Sequence, residues 1–179
     1  MKLLKRKNKS GFTLIEILVV IAIASLIITA GSISYKNAAN KSRTAKANLD
    51  LRDLASAIKT LELDTGKWPN GCIPYAVLNP EVLLSDSRSG IITAPEVGVV
   101  DTSCEWTAAN VANWKGPYAQ RVIDPWGNSY YFDPDFCDES ARNRVAVESY
   151  GPNGIQNYRN TACSVVPYGL DDIVYYLTD

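Results

Sequence analysis

Two acidic arrangements and four cysteines are the side chains of this 179-residue chain whose types and spacing could do chemistry. The first is Glu16, in Ser10-Gly11-Phe12-Thr13-Leu14-Ile15-Glu16, directly behind a short basic leader and inside an apolar run. An ionisable group within a membrane-length segment costs roughly 2.5–3.5 kcal/mol on insertion scales, so it normally has a partner. A cut between Gly11 and Phe12 would create one. The new α-amine has a reference pKa of about 7.7–8, and on a second copy of the chain this cation could face Glu16. The block therefore reads as an instruction for cutting and self-assembly. The second arrangement is Asp171-Asp172, adjacent carboxylates just before a candidate strand.

Cys72, Cys104, Cys137 and Cys163 contain no C-x-x-C pair, and the chain has no histidine. Zinc is disfavoured by this pattern, and disulfides in an oxidising compartment are favoured. Three pairings of four cysteines are possible; sequence proximity favours Cys72–Cys104 and Cys137–Cys163. Without histidine there is no His-based triad or His metal site. Ser149 lacks the Gly-x-Ser-x-Gly context of a hydrolase nucleophile. Asp124, Asp133, Asp135, Asp138 and Glu139 could contain an acid/base pair but form no recognisable constellation, so catalysis is not expected.

The elements that position these groups begin with a leader carrying Lys2, Lys5, Arg6, Lys7 and Lys9 and no acid. From Phe12 to Tyr35, 24 residues, the only charged side chain is Glu16, against the roughly 20 residues a helix needs to cross a bilayer. An ordinary signal peptide places its cleavage site after the apolar core; here the Gly-Phe junction precedes it. The expected division is a cytoplasmic leader over 1–11 that is removed, a membrane or filament-core helix over 12–35, an amphipathic helix over 36–66, and an extracytoplasmic globular domain over 67–179. With the leader's five cations set aside, the 18 basic side chains fall to 13 against 19 acidic ones. An acidic exterior argues against nucleic acid as the main partner. The short basic zone of Lys36, Lys41, Arg43 and Lys46 suits anionic head groups or acidic neighbours.

Leu51, Leu54, Ile58 and Leu61 recur at helical spacing, and no proline occurs before Pro69. This predicts one helix of about 50 residues, ended by Gly66 and Pro69. Residues 70–117 read as loops with an occasional helical turn. Ser129–Asp133, Val145–Ser149 and Ile173–Thr178 read as strands. Asp124-Pro125-Trp126-Gly127-Asn128 and Ser149-Tyr150-Gly151-Pro152-Asn153-Gly154 read as turns. The expected fold class is α+β, a long N-terminal helix packed on a small antiparallel sheet. Tyr158, Tyr168, Tyr175 and Tyr176 read as core or sheet-face residues before an adhesive surface.

Lys9-Ser10-Gly11-Phe12-Thr13-Leu14-Ile15-Glu16 followed by an apolar run resembles the class III signal of type IV pilins and their relatives. That resemblance implies a pilin-like fold and cleavage after Gly11 by a prepilin peptidase. It further implies N-methylation of Phe12 and pairing of Glu16 with the N-terminal amine of a neighbour in a filament. Thr65-Gly66-Lys67-Trp68-Pro69, Trp114-Lys115-Gly116-Pro117-Tyr118, the Asp124–Asn128 and Ser149–Gly154 turns and Asp171-Asp172-Ile173 come in the order seen in the major pseudopilins of type II secretion systems. By that resemblance the chain is a structural subunit that polymerises with itself. Minor pseudopilins and an inner-membrane assembly platform would assist it, and it would pass from the inner membrane into a periplasmic or extracellular filament. A type IV pilin for adhesion, motility or DNA uptake is the alternative. The resemblance also implies a structural calcium held by Asp171 and Asp172, by Asn153 where the family has aspartate, and by the Tyr150 carbonyl. Position 33, where many pilins carry proline, is Ile33, so Gly31 and Ser32 are the expected weak points of the helix.

Overall fold

A computed structural model describes residues 11–74, 80–101, 104–138, 140, 142–156 and 171–177, leaving aside the side chains of 29–34 and 101. The chain divides into two compact units, one up to Lys41 and one from Ser42 onward. Helix α1 (Leu14–Thr65) contributes to both.

In the first unit the described side chains from Leu14 to Ile28 are exposed. Among the described residues no helix is long and apolar enough to cross a membrane. The backbone is nonetheless helical from Leu14 through the rest of the stretch expected over 12–35.

In the second unit Leu51, Leu54, Ile58 and Leu61 are each at most 2% exposed, so the spacing in the sequence does mark the buried stripe. Burying each such side chain is worth about 1.5–3 kcal/mol. The stripe shares one core with Trp68, Tyr130, Phe132, Val145 and Val147. The helix stops at Thr65, one residue before the expected Gly66, which takes φ 72° while its N–H donates to the Glu62 carbonyl (2.7 Å). Its last carbonyl is capped from a distance: Asn110 Nδ2 donates to the Thr65 oxygen at 2.8 Å. Lys115 and Tyr118 both bond Asp64, at 2.8 and 3.0 Å, and tie the same helix end to the loop they occupy.

The main sheet is antiparallel. Its order is β1 (Val82–Leu83), β4 (Tyr131–Cys137), β5 (Asn143–Ser149), β6 (Ile173–Tyr176). Phe132, Val145 and Val147 face the core shared with α1, while Ala146 and Phe136 pack with Val174 and Tyr176 on the other face. Strand β4 runs past the expected Asp133 to Cys137 even though it contains Pro134. The register shifts between Asp133 and Phe136, and this takes the proline, which has no N–H, out of the ladder. Thr178 lies outside the described residues.

The region expected as loops is more ordered than its sequence pattern. It holds β1, a 3-10 turn (Ser87–Ser89), a hairpin of β2 (Gly98–Asp101) and β3 (Cys104–Trp106), and α2 (Ala108–Ala112). Strands of three or four residues are too short to show periodicity. They are pinned instead by tertiary anchors: Trp106 is buried and its Nε1 donates to the Arg88 carbonyl at 2.8 Å. Cys72 and Cys104, both buried, are disulfide-bonded with Cα atoms 4.5 Å apart.

Candidate functional site

Helix α1 begins with a polar clasp. Thr13 lies just before the first helical residue, and its Oγ1 accepts from the Glu16 N–H at 3.3 Å. In return the Glu16 carboxylate accepts from the Thr13 N–H and the Thr13 hydroxyl, each at 2.7 Å. This is a capping box, in which two otherwise orphaned N–H groups at a helix start are satisfied reciprocally. Thr13 escaped the reading of the sequence, although a threonine three residues before a glutamate, ahead of an apolar run, is the signal that marks it. Glu16 therefore has partners on its own chain. Phe12, beside the expected cut, is 84% exposed. A Cβ placed on Gly11 would meet nothing within 4 Å, so the fold itself does not require glycine there.

The second expected site is built by two interlocked turns. Asp124 is buried, accepts from the backbone N–H groups of Trp126 and Asn128 at 2.9 Å each, and from the Ser149 hydroxyl at 2.7 Å. Asn128 Nδ2 then donates to the Gly151 carbonyl at 3.2 Å. Gly151 has φ 61°, and a Cβ there would collide with the Asp171 carbonyl oxygen, so only glycine lets these segments approach. Asn153 binds Asp171 through its backbone N–H (3.2 Å) and its side-chain amide (2.8 Å). Asp172 instead lines a groove of about 520 Å³ with Asp138, Arg142, Arg144, Val174 and Tyr176.

Among the described residues no three acidic or thiol side chains are grouped to hold a metal ion. The donor set expected for calcium never contained three. Calcium takes six to eight hard oxygens. Asp171 and the Asn153 amide are donors of that type, brought together at one turn by Gly151. They fit the ion once the Asn153 amide turns its oxygen, which now accepts from the Ile155 N–H at 2.7 Å.

Acids that form no recognisable constellation in the sequence prove to be partly structural. Asp138 accepts from Arg142 and Arg144 at 2.9 Å each and from the Ser140 N–H at 2.8 Å. Loss of water opposes its charge, but these bonds win and hold the carboxyl at about 2. Arg144 also lies over the Tyr176 ring, 5.3 Å from its centre. Tyr175 packs against the main core; Tyr158 and Tyr168 lie outside the described residues. Asp133 and Glu148 are buried on the sheet face away from α1. Burial, followed by the charges of Asp133, Glu81 and Asp172, pushes Glu148 up to about 9. Burial, followed by Glu81, raises Asp133. Glu148 accepts from Gln156 Nε2 at 3.3 Å, and its Oε2 is buried with no close hydrogen-bond partner among the described residues. Cys137 is disulfide-bonded, and Cys163 lies outside the described residues.

The pattern described as the prokaryotic N-terminal methylation motif matches residues 6–32. The chain is 26% identical over 126 residues to the type II secretion system core protein G of Xanthomonas campestris pv. campestris, covering 69% of this chain and 68% of that protein. It is 22% identical over 170 residues to the core protein G of Vibrio cholerae, covering 94% of this chain and 97% of the relative. It is also 28% identical over 93 residues to the type IV major pilin protein PilE1 of Neisseria gonorrhoeae, covering 48% of this chain and 56% of that pilin. No solved structure matches the chain.

Proposed function

Because the chain is a type IV pilin-like protein close to the major pseudopilins, we propose that it is a structural subunit of a pseudopilus serving type II protein secretion. The leader over 1–11 stays in the cytoplasm and is removed by a prepilin peptidase, and Phe12 is N-methylated. The cut chain waits in the inner membrane and then joins copies of itself, assisted by minor pseudopilins and the assembly platform. The observation that carries this reading is the tip of α1, where Phe12 and the side chains from Leu14 to Ile28 stand exposed beside a Glu16 already satisfied by Thr13.

Lipid tails are as apolar as leucine, so bundling these helices gains little from apolar contact alone. Selectivity then rests on Glu16. In the waiting chain Thr13 keeps the carboxylate hydrogen-bonded; in the fibre a neighbour's amine supplies the opposite charge. A subunit out of register would leave a buried carboxylate without its counter-charge, a strongly unfavourable state.

Mass spectrometry of the mature chain tests the reading. An N-terminus at N-methylated Phe12, lost in Gly11→Ala, is expected; any other N-terminus overturns it. Glu16→Leu should reach the membrane and yield no fibres, and fibres at the wild-type level would remove the proposed pairing. The likeness to the gonococcal major pilin and the four cysteines support a second reading, a surface pilus. Long fibres free of the envelope would favour it over secretion, and short envelope-bound ones would not. Calcium at the Tyr150–Asn153 turn, held by Asp171, the Asn153 amide and the Tyr150 carbonyl, with Asp172 turned in from the neighbouring groove, is a further part of the proposal. Isothermal titration of the chelator-treated chain checks it.

A further inference from the structure

Asn153 grips Asp171 with one donor on each carboxylate oxygen: its Nδ2 on Oδ1 at 2.8 Å and its backbone N–H on Oδ2 at 3.2 Å. Its amide oxygen is committed as well, accepting from the Ile155 N–H. The rest of the turn is braced from behind, since the Gly151 carbonyl accepts from both Asn128 Nδ2 and the Gly154 N–H. Asp171 lies two residues before β6, whose Ile173 and Tyr175 pack onto the main core. Whatever holds Asp171 therefore holds the approach of the last strand.

We propose that Asn153 is a cation-free clamp, closing the chain onto the start of β6 through its own donors so that the strand docks with no metal ion in the turn. The chemistry turns on one group. An aspartate at 153 would set two carboxylates at hydrogen-bond distance with no donor between them. Such a pair separates, takes up a proton or takes a cation between its members. An amide brings the donor with it. The inference rests on the calcium reading in one respect: an ion entering here must draw the Asn153 oxygen off Ile155 and the Nδ2 off Asp171. Calcium is then a competitor for bonds already made, and the turn closes without it.

The experiment is thermal unfolding of the full chain in detergent micelles, in a calcium chelator and in millimolar calcium, for wild type and Asn153→Asp. Wild type should keep most of its melting temperature in chelator, any calcium it binds adding less than the variant regains. Asn153→Asp should melt about 5 °C lower in chelator, a shift typical of one or two lost hydrogen bonds in a domain of this size, and recover with calcium. An Asn153→Asp chain as stable as wild type in chelator overturns the clamp. So does a wild type that loses as much as the variant on chelation. If neither chain binds calcium while Asn153→Asp is destabilised in both media, the clamp stands and the calcium reading fails. Hydrogen exchange of the β6 amides in the wild-type chain provides a readout that needs no variant. Protection in chelator is expected, and rapid exchange there overturns the proposal.

Discussion

Glu148→Gln should stabilise this protein, and by an amount that depends on pH. Glu148 is buried on the outer sheet face, where loss of water and the negative charges of Asp133, Glu81 and Asp172 raise its pKa from 4.5 to about 9. A carboxyl with a raised folded pKa ionises first in the unfolded chain. Between pH 4.5 and 9 unfolding therefore releases a proton, and stability falls as pH rises; above the folded pKa the loss is complete. At 1.36 kcal/mol per unit, the 2.5 units between pH 4.5 and pH 7 amount to about 3 kcal/mol held against the fold at neutral pH. At pH 5 less than about 1 kcal/mol of it remains. Glutamine keeps the oxygen that accepts from Gln156 Nε2 and cannot ionise in either state. Urea unfolding of the full chain in micelles at pH 5, 6, 7 and 8 measures the difference. The variant should gain about 3 kcal/mol at pH 7 and little at pH 5, with a flatter pH profile than wild type. Parallel profiles would refute the reasoning, because they would mean that Glu148 titrates normally and is not buried as described.

Asp124→Ala leaves two backbone N–H groups and the Ser149 hydroxyl without their acceptor, and should lower stability by about 3 kcal/mol in the same urea assay. An effect below about 0.5 kcal/mol, the range of ordinary surface substitutions, would show that the interlocked turns do not depend on it. Thr13→Val removes the hydroxyl of the capping box but keeps the shape and the Gly11–Phe12 junction. It should leave processing intact and reduce fibre yield, read by gel mobility and electron microscopy, whereas unchanged yield would mean that the clasp on Glu16 is dispensable.

Local rules account for what the sequence by itself determined. Gly11, Phe12 and Glu16 stand out because a charge in an apolar run is visible without any fold. The stripe Leu51, Leu54, Ile58, Leu61 is visible because helical period depends only on near neighbours. The Cys72–Cys104 bond also joins cysteines adjacent in sequence order. Thr13 was legible too, from the same local chemistry, by its spacing from Glu16. Tertiary structure alone decided the rest, for reasons of partner choice and cover. β4 continues through Pro134 because β5 offers a ladder that tolerates a register shift, and β2 and β3 exist because Trp106 and a disulfide anchor them. Asp171 and Asp172, side by side in sequence, part company because one meets Asn153 across a turn and the other lines the groove beside Arg144. Glu148 and Asp133 read as ordinary acids until the sheet is assembled. Their burial is set by which segments lie over the strand face, a contact between residues far apart in the chain that no local pattern encodes.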